Sequence, residues 1–162
     1  MKIRKTEIED LIVLLRLYES ARQFMADNGN PGQWGDRYPE RVLLEDDIAR
    51  KCSYVCVDER EEVVGTFFFA IGTEPTYLKI FDGEWLNDEP YGFIHRMATV
   101  RGRRGVASYC LDWCFQQSGN IRVDTHRNNI PMQKVLERNG YKRCGIIYLK
   151  NGDERIAFQK ER

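Results

Sequence analysis

No apolar run in the 162-residue chain approaches the roughly 20 residues that a membrane-spanning helix needs, so no membrane partner is expected. Net charge is missing too. The 25 Lys plus Arg balance the 25 Asp plus Glu, and no overall field favours nucleic acid or an anionic membrane. Any basic site must be local. His95 and His126 are the only histidines, and the five cysteines form no C-x-x-C pair, which argues against a bound metal. The cysteines read instead as buried, reduced thiols of a cytoplasmic protein. Charged residues from Met1 to Glu7 leave no secretory signal visible. A phosphate-binding G-x-x-x-x-G-K-[ST] string is absent, as are repeats, linkers and low-complexity segments. What is present, 42% hydrophobic and 31% charged residues, is the make-up of one folded domain spanning residues 1–162.

The chain reads as a mixed α/β protein. Lys2 to Lys5 predicts a strand. Thr6 and Glu9 have capping-box spacing, and Ile8, Leu11, Ile12, Leu15 and Tyr18 follow at helical intervals. That helix should end by Asn28-Gly29, before a turn-rich loop carrying Trp34. A second helix is expected over Pro39–Arg50, then strands over Ser53–Asp58 and Glu62–Ile71, the latter with the core-like run Phe67-Phe68-Phe69. Residues 72–90 resist assignment, but their aromatic content predicts an ordered insertion. Phe93 to Val100 is a strand, Ala107 to Gln117 a helix and Ile121 to Thr125 a short buried strand. A further helix opens at Asn128-Asn129-Ile130-Pro131 and ends at Asn139-Gly140. Cys144–Leu149 and Arg155–Gln159 form a final hairpin about Asn151-Gly152. The expected order is β-α-α-β-β-β-α-β-α-β-β.

The run Gly102-Arg103-Arg104-Gly105-Val106-Ala107 joins a strand to a helix. Such a turn aims unpaired N–H groups and the positive end of a helix dipole at one spot, and two arginines add charge. A phosphate or pyrophosphate site is the expectation, with surface charge as the bland alternative.

Taken with this turn, Asp124-Thr125-His126-Arg127-Asn128-Asn129-Ile130-Pro131-Met132-Gln133 and the loop Asn30-Pro31-Gly32-Gln33-Trp34 make the chain resemble the GCN5-related N-acetyltransferase (GNAT) superfamily. The resemblance implies a mostly antiparallel central sheet flanked by helices and splayed at a cofactor wedge. It implies acetyl-coenzyme A (acetyl-CoA) as donor. Pantetheine would pair with the strand edge at Met97, Ala98 and Thr99, and pyrophosphate would sit on Arg103, Arg104, Gly105, Val106 and Ala107. Asn129 and Met132 would flank the pantetheine arm. Two departures stand out: Gly102 occupies a position that is usually Gln or Arg, and Leu136 occupies that of a tyrosine acid.

The implied reaction is acetyl transfer to a primary amine of a small molecule or a protein N-terminus, in a monomer or homodimer. The Met97 N–H is the implied oxyanion donor. Imidazole titrates near neutrality, so His95 is the first candidate for general base, set against simple packing beside the sheet. Trp34 is expected either to wall the acceptor pocket or to anchor its loop on the first helix. His126 is expected to touch substrate or to position its turn. Glu84, Asp88 and Glu89 offer carboxylates that nothing in the sequence ranks. A non-catalytic acyl-CoA-binding sensor is the competing reading.

Overall fold

Strands with apolar residues on both sides need a layer against each face. The computed structural model, which describes residues 1–162, supplies both. Its elements in chain order are β1 (Lys2–Lys5), α1 (Leu11–Asp27), α2 (Arg41–Ala49), β2 (Ser53–Val57), β3 (Val63–Ile71), β4 (Gly92–Thr99), α3 (Val106–Ser118), β5 (Asn120–Thr125), α4 (Ile130–Arg138), β6 (Lys142–Tyr148) and β7 (Glu154–Glu161). This is the predicted order. The seven strands form one sheet, arranged β1-β2-β3-β4-β5-β7-β6, in which only β4 and β5 run parallel.

Alternation along the strands sorts the core. Cys56, Phe67, Phe69, Ile94 and Phe158 point to the face that Val106, Cys110, Leu111 and Cys114 of α3 and Leu136 of α4 cover. On the opposite face, Val55, Val57 and Ala98 pack beneath Leu14 and Tyr18 of α1 and Leu44 of α2. Further along that face, Phe68, Phe93, Ile147 and Ala157 lie beneath Tyr77 and Tyr91 of the 72–90 insertion. The Phe67-Phe68-Phe69 run is thus core, as its composition predicts, divided between the two faces. All five cysteines are free thiols. No helix is long and apolar enough to cross a membrane.

One local expectation needs correction. The capping box is formed by Glu7 and Asp10, not Thr6 and Glu9. Thr6 is drawn into the sheet: its N–H donates to the Ser53 carbonyl (2.9 Å), and its hydroxyl accepts from Ser53 Oγ (2.7 Å). Tyr148 packs edge-on against Phe81. Tyr141 fills a core position, its hydroxyl without a partner.

The insertion is ordered as expected, although its only regular element is one 3-10 turn, Pro75–Tyr77. It bridges to β6 through Phe81 and Ile146, which exchange hydrogen bonds of 2.7 and 2.8 Å. A side chain at Gly83 would lie 1.9 Å from the Cys144 carbonyl oxygen, so only glycine allows this approach. The Arg122 guanidinium is sandwiched 4.3 Å from the Trp85 ring centre and 4.2 Å from that of Tyr91. It also donates to the Asn87 carbonyl at 2.7 Å. Replacing it with leucine removes two cation–π contacts and leaves that carbonyl bare, at a cost of about 2–4 kcal/mol. Arg122→Leu should therefore lower the urea midpoint and speed proteolytic cutting within residues 72–90. Unchanged cutting would show that the insertion is held by other contacts.

Candidate active site

A parallel pair of strands normally stays in register along its length. β4 and β5 do not: they pair only at Gly92–Ile121 and Phe93–Arg122, then separate. From Ile94 onward β4 borders a cleft of about 1280 Å³ that runs between the helical layers.

The shape of β4 is set by a bulge. Thr66 faces Ala98 and Phe68 faces His95, so Arg96 and Met97 together oppose Phe67. Arg96 takes the left-handed φ of 53°, which is costly for a non-glycine residue. Its surroundings hold it there. Nε and Nη2 each donate to an Asp47 carboxylate oxygen at 2.9 Å, Nη1 donates to Tyr38 Oη at 3.1 Å, and its carbonyl accepts from Tyr18 Oη at 2.7 Å. The guanidinium also stacks 4.7 Å from the Phe68 ring centre. Burial pushes the Asp47 carboxyl up, against the pull of Arg96.

Beyond β4 the turn leaves a row of free amides. Gly102 and Gly105 have φ of 84° and 83°, and Gly105 caps α3. The first intrahelical bond is Tyr109 N–H to the Gly105 carbonyl. The backbone N–H groups of residues 103–108 donate to no protein acceptor. The two arginines differ. Arg103 pairs with Asp58 at 3.0 Å and Glu59 at 3.6 Å, while Arg104 is exposed with no partner. Val106 is buried in the α3 core, and Ala107 lines the cleft.

His95 projects into the cleft from the insertion face, ringed by Phe68, Phe93 and Tyr77 at 5.4 to 6.2 Å. Its Nε2 lies 3.0 Å from Glu74 Oε2. The other Glu74 oxygen accepts from the Thr76 hydroxyl (3.0 Å) and amide (3.3 Å). Burial opposes ionisation of Glu74, but the His95 and Thr76 donors prevail and hold its carboxyl down at about 2. Glu74 was not among the insertion carboxylates the sequence offered. Its signal was Pro75 directly behind it, where an acceptor caps a short turn.

The two motif segments meet. Asn129 Nδ2 donates to Gln33 Oε1 at 2.9 Å, although the residues lie 96 apart in sequence, while Asn129 Oδ1 caps α4 by accepting from Met132 N–H at 3.1 Å. Asn30 Nδ2 also donates to Gln33 Oε1, at 2.7 Å. Trp34 packs edge-on against Tyr18 of α1 (5.7 Å) and also lines the cleft. Met97, Ala98, Thr99, Asn129 and Met132 line it as well. His126 does not. It borders a small adjoining hollow that shares Gly32, Asp153 and Arg155 with the cleft, and its Nδ1 accepts from the Asn128 N–H at 3.0 Å, so it orders its own turn. Leu136 is buried in the core, far from any role as an acid.

Glu74 makes a pH prediction. Its carboxyl titrates near 4.5 when free and near 2 when folded, so its contribution is present above pH 4.5 and is lost as pH falls toward 2. In Glu74→Gln, urea midpoints should lose that part of their fall between pH 4.5 and 2. A profile parallel to the wild type would refute the pairing.

Neither a protein-family model nor a curated protein matches the sequence. Solved structures do. An acetyltransferase of the GNAT family from Streptococcus agalactiae superposes with a TM-score of 0.85 at 30% identity, over 99% of this chain and 95% of that one. A GNAT-family acetyltransferase from Listeria monocytogenes gives 0.72 at 17% identity, over 99% and 94%. The NatC complex, bound to Gag peptide and CoA, gives 0.65 at 13% identity, over 100% and 99%. The last two show the fold alone.

Proposed function

Because the chain belongs to the GNAT family of acetyltransferases, we propose that it transfers an acetyl group from acetyl-CoA to a primary amine of a small molecule or a peptide N-terminus. The observation that carries this reading is the early parting of β4 from β5, which leaves a strand edge open beside unpaired turn amides. A pantetheine arm fits such an edge, and a diphosphate fits the amides of residues 103–108. The space beside that turn is open, since a Cβ at Gly102 or Gly105 would meet nothing within 4 Å.

When bound, acetyl-CoA supplies an activated thioester. The protein's residues do the rest. His95, oriented by ionised Glu74, accepts the proton of the attacking amine, directly or through one water. The Met97 N–H, turned by the bulge, stabilises the negative charge that develops on the carbonyl oxygen. Asn129, held by Gln33, and Met132 wall the pantetheine arm, while Trp34 walls the acceptor side. No phenol stands at the Leu136 position, and none is required, because a thiol with pKa of about 8.5 leaves without an acid.

Gly105→Glu adds negative charge at the diphosphate cradle and should weaken acetyl-CoA binding at least 100-fold by calorimetry. Gly105→Ala carries the same backbone strain without the charge and should bind within a few-fold of wild type. Equal affinities for the two variants would refute the placement. His95→Ala should lower kcat by about 10²–10⁴ and remove the acid limb of the pH–rate profile. An intact limb would exclude His95 as the base.

A further inference from the structure

Five arginines line the cleft: Arg50, Arg96, Arg101, Arg103 and Arg155. Four have a carboxylate partner, namely Asp46, Asp47, Asp27 and Asp58 respectively. Arg155 has none, and it is also the most buried, at 5% exposure. Of its five N–H donors, two are used. Nη1 donates to the Glu154 carbonyl (2.9 Å) and Nη2 to the Gln33 carbonyl (3.2 Å). Both acceptors are neutral, so the charge is left without a counter-ion.

Asp124 and Asp153 also line the cleft, but no carboxylate lies within 4 Å of Arg155, and the nearest acids bond to other groups. Asp124 accepts from Tyr77 Oη at 2.6 Å, Glu154 turns to Arg127 at 3.8 Å, and Asp153 accepts from Asn151 Nδ2 at 3.2 Å in the β6–β7 turn. A desolvated guanidinium facing a cleft, with open donors and no carboxylate in contact, is half of a charge-assisted pair. Its place identifies the other half. Asp124 faces Ala157 across the β5–β7 ladder, so Arg155, two residues from Ala157, projects from the same face as Asp124. That is the face bearing Tyr77 and His95, and Arg155 braces the carbonyl next to Trp34. It therefore stands on the acceptor side, not among the turn amides.

We propose that the acceptor amine carries a carboxylate, which Arg155 receives while the amine is presented to His95. The exposed, unpaired Lys150 at the same rim adds attraction for an anion. This rests on the acetyltransferase reading above. The substrate class is then amino acids, ω-amino acids or short peptides with a free carboxyl end, rather than simple amines.

The test pairs each such compound with its carboxamide, using acetyl-CoA for turnover and calorimetry on the CoA-saturated protein for binding. The acid should exceed its carboxamide by about 10- to 100-fold in kcat/KM or in affinity. In Arg155→Gln that ratio should fall to about one, and Arg155→Lys should retain part of it. A merely structural role would depress acid and amide together and leave the ratio standing. The proposal is overturned if carboxamides match their acids in the wild type, if the ratio survives Arg155→Gln, or if no acid binds the CoA-loaded protein. Should Arg155→Gln fail to fold, the wild-type ratio and Arg155→Lys decide. Failure of the underlying reading looks different: acetyl-CoA itself would not be taken up.

Discussion

A residue forced into left-handed geometry in mid-strand needs a reason to stay there, and Arg96 has several. Asp47 grips its guanidinium with two bonds of 2.9 Å, and Tyr18 holds its carbonyl. Backbone strain of this kind costs on the order of 1–3 kcal/mol, and it survives only where the surroundings over-determine it. Here they come from three elements: α1 supplies Tyr18, α2 supplies Asp47, and β3 supplies Phe68. The bulge is therefore tied to the docking of α1 and α2. It lies just beyond the point where β4 leaves β5, and it sets how Met97 and the residues after it meet the cleft. Weakening Asp47 would leave a buried charge without compensation, which is generally worse than never having placed the pair.

The same logic explains why the wedge does not collapse. Two separating strands leave backbone groups unpaired, and water or a ligand must satisfy them. Closure would require β5 to slide toward β4, but β5 is fixed along its whole length to β7, from Asn120–Glu161 to Thr125–Ile156. On the insertion face, Asn120 is bound by Asn87 and Gln159, and Arg122 is clamped between rings. On the helix face, α4 is anchored through Asn129 to the α1–α2 loop. The opening is thus held from both sides.

Much of this was legible in the chain because the signals are local. Capping residues, glycine turns and alternation lie within a few positions of the structure they specify, and the element order followed from them. The unpaired amides of the 103–107 turn were legible for the same reason, since a turn feeding a helix exposes amides whatever the tertiary fold. The illegible parts depend on distant pairing. Thr6 left its capping role because Ser53, 47 residues on, offered a bond across the sheet. Glu74 was overlooked because its partner, His95, lies on another element, and nothing in their spacing announces contact. Arg103 looked free for phosphate until Asp58 was placed beside it by the β2–β3 turn.

That division follows the chemistry. On the proposed function, the donor side is built mainly from backbone amides and a strand edge within one stretch of chain, and such groups are the same whatever side chains surround them. The proposed acceptor side gathers Trp34, Glu74, His95 and Arg155, which line the cleft from a loop, an insertion and two strands. Each of these acts through its side chain, and each can change without disturbing the cradle. Selectivity for the amine can therefore shift by single substitutions, while the donor site stays as the fold makes it. On this account the uncompensated charge of Arg155 is a feature of the half of the cleft that is free to vary. An anion in the acceptor is what restores its electrostatic balance.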